Sequence, residues 1–271
     1  MQVERSDRTA PPSGGADGPG RAGPIVDASH AGRDALIAWA VVAALVTVFV
    51  RIDVQLPWIG QLGSALVAVT FLYVPVFVAW RRKEDLDDYG FHTRQMWRGL
   101  RLALVALVIV LPIFAAGYYV FYEIACDSNL LAHLVPHNMC TTFSGLGHVH
   151  LPAFDWNPLH EKSFPQFCAI QLVVVALPEE LFFRGCLLGL LERRFPPKRR
   201  VAGGGIGLAL VLSAAAFALI HLPKDGDPRA LATFFPGLLF GWMRSATGSI
   251  AASTVSHAGS NILIWILDHS L

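Results

Sequence analysis

Leu177-Pro178-Glu179-Glu180-Leu181-Phe182-Phe183-Arg184 sets two adjacent carboxylates inside the run Phe164 to Phe183, which is otherwise uncharged and long enough to cross a bilayer. A carboxylate at membrane depth costs roughly 2.5–3.5 kcal/mol on insertion scales, and more without a partner. Such groups face a protein interior or a wet cavity, so this stretch decides both the fold to expect and where to look for function.

The whole chain agrees with a membrane setting. Of its 271 residues 54% are hydrophobic and 15% charged, and its mean hydropathy is +0.50. These values belong to polytopic membrane proteins rather than soluble domains. The net charge is +1, and no basic patch with interleaved aromatics occurs, so nucleic acid is not an expected partner. Residues 1–34 differ in kind. Nine of the fourteen residues from Pro11 to Pro24 are Gly or Pro, which predicts a disordered tail. No apolar core precedes Ala35, so the first hydrophobic segment reads as an uncleaved signal anchor.

Apolar runs of about 20 residues are the unit of a helical membrane protein. Seven occur: Ala35–Val50, Pro57–Trp80, Leu102–Tyr122, Phe164–Leu191, Val201–Leu222, Ala230–Met243 and Ile250–Leu267. They lack the period-two alternation of barrel strands, so the expected fold is an all-α polytopic transmembrane bundle of about seven spans, with a four-helix catalytic core near the C-terminus. The first two runs would also suit a single re-entrant hairpin. Gly237 and Gly241 form a small-xxx-small pair that would let another helix approach the sixth run closely. The organisation expected is a cytoplasmic tail (1–34), N-terminal membrane helices (35–122), an extracytoplasmic loop (123–163) and an intramembrane core (164–271).

Orientation follows from Lys and Arg. With the N-terminus inside, inner segments hold sixteen of these residues, and outer segments hold only Arg51, Lys162, Lys224 and Arg229. This predicts a multi-pass protein of the cell's inner (plasma) membrane with a cytoplasmic N-terminus. The outer loop carries Cys126 and Cys140, a possible disulfide on an oxidising face. Its histidines, His133, His137, His148, His150 and His160, read as solvated rather than as a zinc site, because Pro and Gly interrupt any helix there.

Three later runs each carry a pair at i, i+4, which stacks on one helix face: Glu180 with Arg184, Phe217 with His221, and His257 with Asn261. Adjacent residues lie ~100° apart on a helix, so the two glutamates are not expected to face one point. Glu180 precedes Arg184 by one turn, the favoured order for an ion pair, which leaves Glu179 to face a cavity. Pro178 removes a backbone donor and predicts a kink. A carboxylate in such a cavity suits water activation. Glu179 is the expected base, His221 would hold or share the water, and His257 with Asn261 could donate to an oxyanion. Phe217 would shape the wall. Helix-packing pairs and interhelical hydrogen bonds are the competing explanation for the same residues.

Other hydrolase signatures fail. His160-Glu161 begins a zincin-like motif, but Phe164 stands where the second histidine belongs. Neither a nucleophile elbow nor a phosphate-binding loop is present; Gly203-Gly204-Gly205 reads as a site of close packing or flexibility.

In that order, Glu179-Glu180-x-x-x-Arg184, Phe217-x-x-x-His221 and His257-x-x-x-Asn261 resemble the CPBP family: CAAX prenyl endopeptidases and bacteriocin-processing (Abi) proteins, glutamic-type intramembrane proteases. Phe240–Ile250 also looks like the family's segment before its last motif. The resemblance spans about residues 164–268. It implies an all-α membrane bundle, Glu179 as catalytic base, His221 as its partner on the water, and His257 with Asn261 as oxyanion stabilisers. It implies no cofactor, although some members are described as metalloproteases, which keeps a metal at Glu179, His221 and His257 as a lesser alternative. The implied activity is hydrolysis of a membrane-anchored protein or peptide in the lipid bilayer. The alternatives are a non-catalytic membrane protein of immunity or scaffold type, and a transporter using Glu179 as a proton relay. The positions of His221, near the outer end of its run, and Glu179, at mid-depth, favour access from the outer face.

Overall fold

The computed structural model describes residues 24–57, 60–127 and 154–270, and these are all-α apart from two short hairpins. Three helices are long and apolar enough to cross a membrane: α1 (Pro24–Phe49, with the candidate span His30–Phe49), α2 (Leu62–Arg82) and α3 (Met96–Asp127). α3 turns Val108 and Ile113 outward, both about two-thirds exposed, as lipid-facing side chains would be. A short helix α4 (Asn157–His160) leads into α5, followed by α6 (Leu208–Asp225), α7 (Phe234–Thr247) and α8 (Ala251–Ser270).

α5 is a composite helix. It runs from Phe164–Ile170 through a π segment, Gln171–Ala176, an α turn, Leu177–Glu180, a second π segment, Leu181–Leu187, and a last α stretch, Leu188–Arg194. The residues at each junction keep right-handed helical dihedrals. Pro178 therefore sits between two widened turns. A π turn shifts hydrogen bonding to i→i+5 and suits a stretch where proline has already removed one donor. Ser213 on α6 donates to the Phe183 carbonyl within the second π segment, at 3.0 Å.

Several expected boundaries are corrected. α1 begins at Pro24, so residues 24–34 are helical rather than part of the disordered tail. The second run does not start as helix at Pro57. Gln55–Leu56 (β1) and Gly60–Gln61 (β2) pair antiparallel first, and α2 starts at Leu62. The fifth run likewise does not begin at Val201, because Arg199–Val201 (β3) pairs with Gly204–Ile206 (β4) and delays α6 to Leu208. Gly203, at φ 86°, turns that hairpin. A side chain at Gly204 would sit 2.2 Å from the Trp242 ring, so the triple glycine serves close packing. A 3₁₀ turn, Pro228–Thr233, precedes α7. The expected outer loop is shortened by α3, which continues to Asp127, and contains α4. Cys140, His133, His137, His148 and His150 lie outside the described residues. Cys126 is disulfide-bonded, and His160 Nδ1 donates to the Trp156 carbonyl within α4.

Packing places α8 against α3, α7 against α6 and α8, and α1 against α2 and the last stretch of α5. The small-residue pair behaves as expected: Cβ atoms at Gly237 and Gly241 would lie 3.3 Å from Ala214 and 2.4 Å from Leu210 Cδ1, so α6 and α7 meet through them. Trp39 Nε1 donates to the Ala216 carbonyl at 3.2 Å, fastening α1 to α6.

A polar network closes one end of the bundle. Arg82 pairs with Asp34 at 2.7 Å and with Glu84 at 3.1 Å, while Glu84 also accepts from Arg193 and from the buried Tyr89 hydroxyl. Burial alone would raise the Glu84 carboxyl, but the hydrogen bonds from Arg193 and Tyr89 and the nearby guanidinium charges outweigh it and hold it below its ordinary 4.5. A carboxyl lowered on folding stabilises the fold above its unfolded pKa and loses that contribution as pH falls through the folded value. Thermal unfolding in detergent should therefore occur at lower temperature as pH drops below 4.5. The loss should be smaller in Glu84→Gln, which has no carboxylate to protonate there.

Candidate active site

α5 supplies both glutamates from its short α turn, with Glu179 5% exposed and Glu180 wholly buried. Arg184 follows one turn later, 1% exposed, and its Nη1 donates to Glu180 Oε1 at 2.7 Å. The guanidinium also lies 4.1 Å from the centre of the Phe217 ring and 5.2 Å from that of Phe240, with Nη2 3.5 Å from the Gly237 carbonyl. Phe217 is therefore more than a wall, since its ring face takes up the cation of the pair.

α8 brings His257 to the same place. Its Nδ1 lies 2.9 Å from Glu180 Oε1, and its Nε2 lies 3.8 Å from Glu179 Oε2. The two glutamates, not expected to face one point, lie towards different nitrogens of this one ring. One imidazole has two ring nitrogens with different directions: Nδ1 is within hydrogen-bonding distance of Glu180, and Nε2 faces Glu179 from beyond that distance. The ring stacks on Phe240 at 5.3 Å and meets Phe217 edge-on at 5.6 Å, so its plane is fixed. A carboxylate can only accept, so Nδ1 carries a hydrogen. Nε2 of the neutral ring then holds a lone pair and donates only when the ring carries both protons.

His221 on α6 is held differently. Its Nδ1 lies 2.8 Å from the Phe217 carbonyl, one turn earlier. That contact also requires an Nδ1 hydrogen, which leaves Nε2 of the neutral ring as an acceptor. The pair Phe217 and His221 thus works through a backbone oxygen as well as through ring contact at 4.8 Å.

Glu179, His221, His257 and Asn261 line one cavity of about 860 Å³. All four candidate catalytic residues converge, despite the different depths read for Glu179 and His221. Gln171 joins them there, and Asn261 Nδ2 donates to its side-chain oxygen at 3.0 Å. Gln171 belongs to none of the i, i+4 pairs that mark the other residues. In an uninterrupted α-helix it would lie ~80° from Glu179, at 100° per residue over eight residues. The π segment between them absorbs about one extra residue and brings them towards one face. An uncharged amide in an apolar run was the available signal. Among the described residues no group of three or more His, Cys, Asp or Glu side chains is arranged to hold a metal ion.

The helices that carry this site coincide with a family match. Residues 162–263 match the family model described as type II CAAX prenyl endopeptidase Rce1-like. This segment of the chain is similar to that family. No curated protein and no solved structure matches the chain. The matched segment begins just before α5 and ends within α8, so it contains every candidate catalytic residue and excludes α1, α2 and α3. The family is one of membrane proteases, and the three apolar helices outside the segment agree with a membrane protein.

The Glu180–Arg184 pair is buried, and breaking such a pair leaves an uncompensated charge. Arg184→Met should destabilise the protein by about 3–5 kcal/mol, seen as lower detergent-solubilised yield and lower Tm. Removing both charges together, as Glu180→Gln with Arg184→Met, should cost less than Arg184→Met alone.

Proposed function

We propose that the protein is a glutamic-type intramembrane endopeptidase of about seven spans that hydrolyses a peptide bond of a membrane-anchored protein or peptide. The observation that carries this reading is the convergence of Glu179, His221, His257 and Asn261, from α5, α6 and α8, on one cavity among buried helices. The late helices α5 to α8 form its core. The first three are long apolar spans, whereas α8 gives up apolar length to Ser256, His257, Ser260 and Asn261.

The chemistry follows from which atoms can give and which can take a proton. A water in the cavity donates one hydrogen to Glu179 and one to the bare Nε2 of His221. Glu179 removes a proton as the water oxygen attacks the scissile carbonyl carbon. The carbonyl π bond opens and its electron pair moves onto oxygen. Asn261, with one Nδ2 hydrogen committed to Gln171, has a second to offer that oxyanion. His257 offers Nε2–H when doubly protonated, its other nitrogen remaining on Glu180. Collapse of the tetrahedral intermediate breaks the C–N bond, and Glu179 returns its proton to the leaving amine. Glu180 and Arg184 position His257 and touch no reacting atom. Every proton in this cycle moves between side chains, water and substrate.

Glu179→Gln keeps the size and hydrogen-bonding reach of the side chain but cannot act as the base. Processing of membrane-protein termini, compared by proteomics, should fall by roughly 10²–10⁴-fold at unchanged protein level. Survival of processing would leave a scaffold or immunity role, and pH-dependent flux in proteoliposomes without cleavage would indicate proton relay. Strong chelation should leave cleavage intact, whereas its loss, restored by a divalent cation, would return the metal reading.

A further inference from the structure

We propose that the catalytic cavity opens on the oxidising, extracytoplasmic face of the membrane, and that its substrates are membrane-anchored chains presenting their scissile segment on that side. The inference rests on the protease reading for its substrate class, but not for its geometry.

The bundle has two ends that contacts define without any assumption about a membrane. At one end the Asp34–Arg82–Glu84–Arg193 network ties the start of α1, the end of α2 and the end of α5. At the other, Arg229, before α7, donates to the Tyr122 hydroxyl near the end of α3, and Tyr118 on α3 donates to Asp268 near the end of α8. The Asp155 amide, before α4, bonds the Ser270 carbonyl at this same end.

The cavity belongs to the second end. Beyond the catalytic residues its lining comes from Ile52 after α1, Ser64 in the first turn of α2, Phe167 in the first stretch of α5, Thr233 before α7, and Trp265 and Asp268 late in α8. None of the arginines of the first end borders it.

Two independent observations then say which end is outside. Arg81, Arg82, Arg98, Arg101, Arg193, Arg194 and Arg244 sit at the helix ends or first turns of the first end, and clustered Lys and Arg mark the cytoplasmic side. Cys126 lies one turn beyond Tyr122, at the cavity end, and is disulfide-bonded; of the free cysteines, Cys168 lies in the first stretch of α5 and Cys186 is buried in its second π segment. Disulfides persist on the oxidising side of a membrane. Charge and redox state therefore point the cavity the same way, although neither depends on the other.

Single-cysteine labelling tests this directly. Ser64→Cys places an exposed thiol at the cavity mouth, and Arg200→Cys places one on the exposed hairpin of the basic end. Both are built in a Cys168→Ser background, whose own labelling sets the baseline. With a membrane-impermeant maleimide, Ser64→Cys should label in right-side-out vesicles and Arg200→Cys only in inside-out vesicles. The reverse pattern, or labelling of both from one side, overturns the proposal. The termini lost in Glu179→Gln membranes should map to outer juxtamembrane segments, and termini mapping to cytoplasmic segments would overturn the substrate class. No terminus lost, with labelling as expected, would instead sink the protease reading and leave the topology standing.

Discussion

Glu180 is a wholly buried carboxylate whose Oε1 receives both the Arg184 guanidinium and the His257 imidazole, and the rest of the site depends on that junction. A charge in such a place is tolerated only when it is paired and hydrogen-bonded. Meeting the requirement consumes Arg184, fixes the tautomer of His257 and draws α8 onto α5. The Phe217 and Phe240 rings surround the same cation and imidazole, so α6 and α7 are drawn in as well. Solving one desolvation problem thus assembles four helices around the neighbouring carboxylate, Glu179.

The two glutamates consequently differ in what they can do. Glu180 is committed to orienting His257, and Glu179 borders the cavity with His257 Nε2 nearby. The same separation of tasks appears on α6, where the Phe217 carbonyl holds one nitrogen of His221 and leaves the other to accept. In both histidines an anchored Nδ1 leaves Nε2 on the other side of a ring that borders the cavity. Their anchors differ in charge, a carboxylate for His257 and a neutral carbonyl for His221.

Much of the architecture was legible in composition and spacing. Among the described residues the first three apolar runs located the three helices long enough to cross a membrane, the i, i+4 pairs marked residues that border one cavity, and Gly237 with Gly241 located a close helix contact, because each signal arises within one helix. Boundaries were less legible. Pro24 to Asp34 reads as polar tail yet forms the start of α1, where Asp34 gains a partner in Arg82 from another helix. Val201 to Ile206 look like the start of a span but form part of a hairpin with Arg199 and Arg200, since Gly204 packs under Trp242, 38 residues downstream. Gln171 was passed over because α-helical periodicity sets it off the face of Glu179, and the π segment that restores it has no signature in a single sequence.

The sequence alone determined that this chain enters the membrane as helices and that expensive polar groups sit on three of them, because hydropathy and helical spacing are local properties of the chain. Only the tertiary structure decided that His257 bonds Glu180 while facing Glu179, that Asn261 leans on Gln171, and that the cavity lies at the end of the bundle away from the Arg82–Glu84–Arg193 network. Those facts depend on which helices touch and at what phase. That is set by packing between segments far apart in the chain, where one residue added to a helical turn rotates every side chain beyond it.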